Sequence, residues 1–280
     1  MPLWLQTYLD ALTSPGLWRS FRHVFWVDLL EDGGRYLACV LLVWGLLHVL
    51  LRQRLAHRLI GAWPSRADLQ REITYSFSSL LVVAAGGTLM LAMLVSDWAE
   101  IYDDPLKYGW AWLLLSLPVA IVLHDFYFYW THRLLHTRWL FRHLHGVHHR
   151  SRHPSPWASL AFHPVEALIQ GAPLALILLV IPLNDYVVVA FLGHQMLRNA
   201  HLHGAVELFP RGFVCHWFWG RFTTTTHHHL HHETGQGNYA LWFTWWDRWF
   251  GTERTDYLAR FDAATAPRPR AADDDAGAIA

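Results

Sequence analysis

Eight histidines fall into three groups whose spacing suits metal binding. His132 and His136 stand four apart. His145, His148 and His149 read H-x-x-H-H, and His228, His231 and His232 repeat that pattern near the other end of the chain. Residues i, i+3 and i+4 share one face of a helix, so each group is expected to converge. Imidazole ligates zinc, copper, iron and nickel. Eight candidates exceed the four positions of a tetrahedral zinc site, which points to two metal ions. The run T-T-T-T-H-H-H-L-H-H-E-T around the last group sits inside the chain and does not read as a purification tag.

The elements that must position these groups read as membrane helices. Of 280 residues, 53% are hydrophobic and only 16% charged, against about 25% charged in soluble domains. Mean hydropathy is +0.16. Net charge is zero with histidine neutral, which gives no global case for nucleic-acid binding. Two cysteines, Cys39 and Cys215, make neither a disulfide framework nor a CxxC site and read as inert thiols. Pro, Asp and Arg interrupt any signal-peptide core at the start.

Residues 1–34 mix Trp4, Trp18, Phe21, Phe25 and Trp26 with Arg19, Arg22, Asp28, Glu31 and Asp32, and are expected to form an interfacial segment. Apolar runs follow at Tyr36–Leu51, Ile73–Val95 and Gly109–Trp130. Small residues in the second suit close helix packing, and Pro118 in the third is tolerated within a bilayer. His48 reads as an interior hydrogen-bonding residue. Two shorter runs, Ala167–Pro182 and Tyr186–Leu197, form a hairpin that crosses the membrane or dips into it. Arginines follow the first run (Arg52, Arg54, Arg58, Arg66, Arg71) and the third (Arg133, Arg138, Arg142, Arg150, Arg152), which places both stretches in the cytoplasm. The acidic connection Asp97, Glu100, Asp103, Asp104 then faces the other side. The expected organisation is a membrane domain over 35–262, its second cytoplasmic block at 198–260, and a compositionally disordered tail at 263–280.

The motifs D-F-Y-F-Y-W-T-H-R-L-L-H (Asp125–His136), H-G-V-H-H (His145–His149), H-H-L-H-H (His228–His232) and N-Y-A-L-W-F-T-W-W-D-R-W-F-G-T (Asn238–Thr252) come in that order. Together they resemble the fatty acid hydroxylase/sterol desaturase superfamily over roughly residues 75–255. The resemblance implies an all-α integral membrane enzyme of about four transmembrane helices. A cytoplasmic histidine-rich helical cap would hold two non-haem iron ions. It also implies O2-dependent hydroxylation or desaturation of a lipid C–H bond, on a fatty acyl, sterol-like or related substrate, in lipid biosynthesis.

A further family ligand is matched within H-L-H-G-A-V-E-L-F-P by His203, with His201 as the alternative; Ala205 stands where the family pattern has Asn. The implied ligands are therefore His132, His136, His145, His148, His149, His203, His228, His231 and His232. His227 is read as a neighbour of the last group, and His163 as either a ligand or a helix-start residue. Carboxylates that orient the imidazoles are sought among Asp125, Glu166, Glu207, Glu233 and Asp247, with Asp125 placed best. Trp157, Phe162, Trp217, Phe218 and Trp219 line the lipid's access or form an aromatic belt.

No GxGxxG fingerprint or cysteine-rich iron–sulfur pattern occurs, so electrons are expected from an external ferredoxin- or cytochrome-type donor. The arginines after the third run either help dock it or serve only as cytoplasmic anchors. Two other classes compete. A membrane metal-binding or transport protein would carry its ligands inside the spans near the midplane, whereas these histidines cluster beside arginines. A zinc hydrolase would show an arrangement such as HExxH, and none occurs.

Overall fold

The computed structural model describes residues 17–95 and 98–267, and the chain is mostly helical. Trp4 and the tail beyond residue 267 lie outside the described residues. Helix α1 (Leu17–Trp44) continues as a π-helical segment, Gly45–Leu50. It passes unbroken through residue 34, so residues 17–34 belong to the first long helix and do not precede it. Helix α2 is Arg66–Val95 and α3 is Gly109–Leu135, continuous through Pro118. Among the described residues, Arg22–Leu50 and Gly109–Leu135 are long and apolar enough to cross a membrane. Their outward faces carry Leu41, Leu42, Val49, Leu50, Leu114 and Leu115, all exposed.

The shorter runs form a hairpin. One arm is α5 (Pro164–Gly171) and α6 (Pro173–Leu178); the other is α7 (Asp185–Leu202). Its tip pairs with the acidic connection: β1 (Ile101–Tyr102) runs parallel to β2 (Leu183–Asn184). Trp112 Nε1 donates to the Pro182 carbonyl at 3.1 Å, and Asn184 accepts the Tyr186 N–H to start α7. The hairpin therefore runs the length of the α2–α3 pair, from that connection to the histidine-rich end. Ala120, Ile177, Leu183, Val188 and Phe191 form the core between α3 and the hairpin. Tyr36, Val40, Leu47, Leu80 and Ala200 bind α1 to α2 and α7.

The small residues of α2 serve backbone contact, as close packing requires. Ser76 Oγ donates to the Trp157 carbonyl at 2.8 Å, and Ser79 Oγ pairs with the backbone of Phe162. A Cβ on Gly87 would overlap the Asp28 carboxylate at 2.3 Å. His48 is buried and donates from Nε2 to the Gly204 carbonyl at 3.1 Å, the interior role expected of it.

The remaining chain caps the histidine-rich end. It comprises α4 (Arg138–His143), a 3-10 helix at His145–Arg150, α8 (Thr225–Thr234), α9 (Trp245–Trp249) and α10 (Tyr257–Ala264). Leu230, Tyr257 and Phe261 pack α10 on α8, so the ordered chain extends past residue 263. Phe222 bridges Phe243, and Thr244 Oγ1 donates to the Gly220 carbonyl at 2.9 Å. A Cβ at position 220 would stand 2.3 Å from the Val214 carbonyl oxygen, which is backbone and cannot turn aside. Gly220→Ala is expected to cost about 1–3 kcal/mol as overpacking, read as a lower Tm in detergent by differential scanning fluorimetry.

Candidate metal centre

All nine expected ligands meet at one place, sorted into two groups. His132, His136, His145, His149 and His231 form one; His148, His203, His228 and His232 form the other. Within each group the ligating nitrogens lie within 4.8 Å of one another. The sorting differs from the spacing argument. The second box occupies a 3-10 helix, and it divides: His145 and His149 join the first group while His148 turns to the second. The last box divides too, with His231 facing one group and His228 and His232 the other.

Local structure explains these orientations. His132 lies in the last turn of α3, and His136 caps that helix. His203 caps α7. Four buried threonines set the start of α8: Thr224 Oγ1 accepts the His227 N–H, Thr223 Oγ1 donates to the Leu241 carbonyl, Thr225 Oγ1 donates to the His201 carbonyl, and Thr226 donates to Glu207. Ala205 adopts φ 60°, a left-handed conformation in which Asn is favoured over Ala. That is a physical reason for an Asn at this position elsewhere in the family pattern.

Ring nitrogens point in two directions. Nδ1 donates outward: His132 to the Tyr239 carbonyl at 2.7 Å, His203 to Asn199 at 2.8 Å, His231 to Gly237 at 2.7 Å, and His232 to Ser151 at 3.0 Å. His145 donates to Glu166 at 2.5 Å. These acceptors fix the tautomer, leaving lone pairs on Nε2. The Nε2 atoms then face one another: His132 and His145 at 3.1 Å, His149 and His231 at 3.0 Å, His203 and His228 at 3.1 Å, His228 and His232 at 3.2 Å. In His132 and His145, whose Nδ1–H groups are both committed outward, the facing Nε2 lone pairs repel at this range unless a cation stands between them. Two nitrogens each about 2.1 Å from one ion are about 3.0–3.4 Å apart at octahedral to tetrahedral angles. The donor set and its spacing therefore fit metal ions.

Burial keeps the imidazoles neutral. Desolvation pushes His203 down to about 4 and His149 to about 3, and burial with neighbouring imidazoles holds His148, His228, His231 and His232 well below the ordinary 6.5. Phe141 covers His136 and His149, and Tyr239 lies against His136 and His231. Both aromatics escaped the sequence reading, although Tyr239 falls within the Asn238–Thr252 motif.

The expected supporting residues divide. Asp125 accepts the N–H groups of Leu241, Trp242 and Phe243 and the Trp246 indole at 2.7–3.2 Å. It holds the 241–246 segment rather than an imidazole, with its oxygens taken up by those four N–H groups. Its effect on His132 passes through the Tyr239 carbonyl. Glu166, against His145, is the carboxylate that orients a clustered histidine. Glu207 caps the start of α8, Asp247 accepts from Tyr239 and Ala240 N–H and stands 3.5 Å from His227, and Glu233 pairs with Arg260 at the surface. His163 accepts the Val165 N–H as a helix cap. His201 contacts Arg198, and His227 faces Asp247; neither joins a cluster.

Two predictions follow from this geometry. Glu166→Gln is expected to weaken metal binding about 10–100-fold, as changes to such supporting groups do, measured by competition with a chelator. Metal-free protein is expected to lose stability as pH falls through about 6.5 toward 4. The unfolded histidines take up protons there and the folded ones, held at about 3–4, do not. Tm against pH checks the sign.

A family model described as fatty acid hydroxylase matches residues 117–252. The chain is 27% identical over 187 residues to a Delta(7)-sterol 5(6)-desaturase of Gibberella zeae, covering 67% of this chain and 56% of that protein. It is 31% identical over 184 residues to lathosterol oxidase of Rattus norvegicus, covering 65% and 60%, and 27% identical over 199 residues to a Delta(7)-sterol-C5(6)-desaturase of Nicotiana tabacum, covering 69% of each. The chain thus spans less than two thirds of the fungal and rat proteins. No solved structure matches. With the ordered histidine motifs, these likenesses support the fatty acid hydroxylase/sterol desaturase superfamily as the family of this chain.

Proposed function

We propose that this protein is an O2-dependent membrane oxidoreductase that hydroxylates or desaturates a C–H bond of a lipid. In this reading the nine clustered histidines hold two iron ions. The observation that carries it is the join between the histidine clusters and an apolar cavity. An inner chamber of about 150 Å³ is lined by Phe128, Phe162, Phe191, Leu241 and Trp242. The Phe128 ring lies 4.8 Å from His132, and the Phe162 ring 4.9 Å from His148. An outer chamber of about 340 Å³ between α1, α2 and the hairpin shares Val83, Ala167, Leu174 and Leu192 with it. A lipid chain or ring system reaching through both would present its C–H bonds under the histidines. The names of the relatives favour a sterol-like body.

Iron bound there supplies the oxidising power, with O2 and two electrons from a ferredoxin- or cytochrome-type donor. The chain's own residues do the rest. Nδ1–H donation to Tyr239, Asn199, Gly237, Ser151 and Glu166 aims each Nε2 inward. Phe128, Phe162 and Trp242 exclude water from the side where the substrate lies. Phe141 and Tyr239 close the opposite side near His136, the one ligand of its cluster that is only half-buried. Arg138, Arg142, Arg150 and Arg152, all exposed, flank the second histidine group in the chain, and would suit the docking of an acidic donor. In this reading α1, α2, α3 and the hairpin lie in the bilayer, with the histidine-rich cap on the cytoplasmic side, where the arginines are.

Elemental analysis of protein prepared without a tag or metal column tests the reading. About two irons per chain are expected, lower in both His148→Ala and His231→Ala, one from each cluster. Lipid extracts from expressing cells should gain an oxidised species that both variants lack. One zinc or copper per chain, indifferent to those changes, would overturn it in favour of metal binding or transport.

A further inference from the structure

Helix α2 carries none of the clustered histidines, yet one of its faces backs one of the two groups. Glu72, Ser76 and Ser79 are spaced four and three apart and so share a side of the helix, and all three are fully buried. Each holds the segment that follows the second histidine box. Ser155 Oγ donates to Glu72 Oε2. Ser76 Oγ donates to the Trp157 carbonyl, and Ser79 pairs with the Phe162 backbone. Arg71, next to Glu72, donates from Nη2 to Ser151 Oγ at 3.1 Å. Burying a carboxylate is costly, and an apolar residue would pack this position without that cost.

The same segment carries contacts to one histidine group. The Ser151 carbonyl accepts His232 Nδ1–H at 3.0 Å, and the Phe162 ring lies 4.9 Å from the His148 ring. Ser155 stands between Ser151 and Phe162 in the chain, and its Oγ also accepts the Trp157 N–H at 3.3 Å to start the 3-10 helix Pro156–Leu160. His148 and His232 belong to one group with His203 and His228. In the other group His132 donates to Tyr239, His231 to Gly237 and His145 to Glu166, all outside 151–162. The grip of α2 is therefore one-sided.

We propose, resting on the two-metal reading, that Glu72 is a positioning residue for the His148, His203, His228 and His232 group and not for the other. It acts through other residues. Its carboxylate anchors Ser155, the 151–155 turn holds the Ser151 carbonyl in place, and that carbonyl fixes the tautomer and angle of His232. A ring that turns away from its partners weakens the ion they share, so the effect is confined to the ion bound by this group.

Full-length, metal-free protein in detergent is loaded with Co²⁺ alone, and the bound ions are withdrawn by a chelator while visible absorption is followed. Wild-type protein is expected to hold two ions per chain, one in each group. Glu72→Ala should weaken one of them about tenfold, the low end of the effect of groups that orient ligands, and leave the other unchanged. Two backgrounds assign the weakened ion. With the first group removed by His145→Ala and His231→Ala, Glu72→Ala should weaken the remaining ion about tenfold. With the second group removed by His203→Ala and His228→Ala, it should change nothing. Glu72→Gln keeps an acceptor for Ser155 and should recover most of the affinity. Ser155→Ala removes the same hydrogen bond from the other side and should reproduce the selective loss. Unchanged binding in Glu72→Ala, equal weakening of both ions, a loss confined to the first group, or Glu72→Gln as weak as Glu72→Ala would each overturn the assignment. Equal weakening with a lowered metal-free Tm is what a purely structural role would give. Wild-type protein that holds no second ion defeats the two-metal reading and this role with it; two ions without a selective response defeat the role alone.

Discussion

The structure depends on opposed lone pairs. Six Nε2 pairs stand 3.0–3.4 Å apart, and in His132 against His145 both rings have their hydrogen committed to the other nitrogen. Such an arrangement suits a cation placed between the nitrogens. Everything around the clusters serves this alignment. Carbonyls at 151, 199, 237 and 239 come from three separate segments and hold the rings from behind. The threonine run starts α8 at the correct turn. Asp125, fully buried, gathers the N–H groups of 241–243, and so fixes the backbone that carries Tyr239.

The same segments form the roof of the cavity. Phe128 follows Asp125 on α3, and Leu241 and Trp242 are the residues whose N–H groups Asp125 accepts. A carboxylate that touches no clustered histidine therefore connects the histidine clusters to the chamber beside them. The α1 helix completes the chamber's outer wall with charged residues that composition alone placed at an interface. The π-helical segment at its end brings His48 against Gly204, next to His203, so this helix too reaches the centre.

The hairpin gives the molecule its length. Its tip pairs with the connection between α2 and α3, and its far end carries His203. Pro164, Pro173 and Pro182 punctuate one arm, while Asn184 caps the other, so both turns and lengths are local properties. The pairing of β1 with β2 is not local; it requires α3 and α7 to pack over several turns, which Ala120, Val188 and Phe191 permit.

The sequence by itself determined which side chains gather. Eight histidines in three stretches and the arginine-flanked apolar runs were legible, because ligand type, spacing and hydropathy are properties of short segments; His163 stood open between ligand and helix-start residue. Between His201 and His203, α7 decides: its C-cap, His203, faces the cluster and His201 does not. The tertiary structure alone decided the sorting of His148 away from His145 and His149, because the facing partners, His203 on α7 and His132 on α3, come from distant elements. It also decided that Glu166 and not Asp125 meets an imidazole. Spacing puts Asp125 and His132 near one face of a helix, but it says nothing about the loop from more than a hundred residues later whose N–H groups take up that carboxylate.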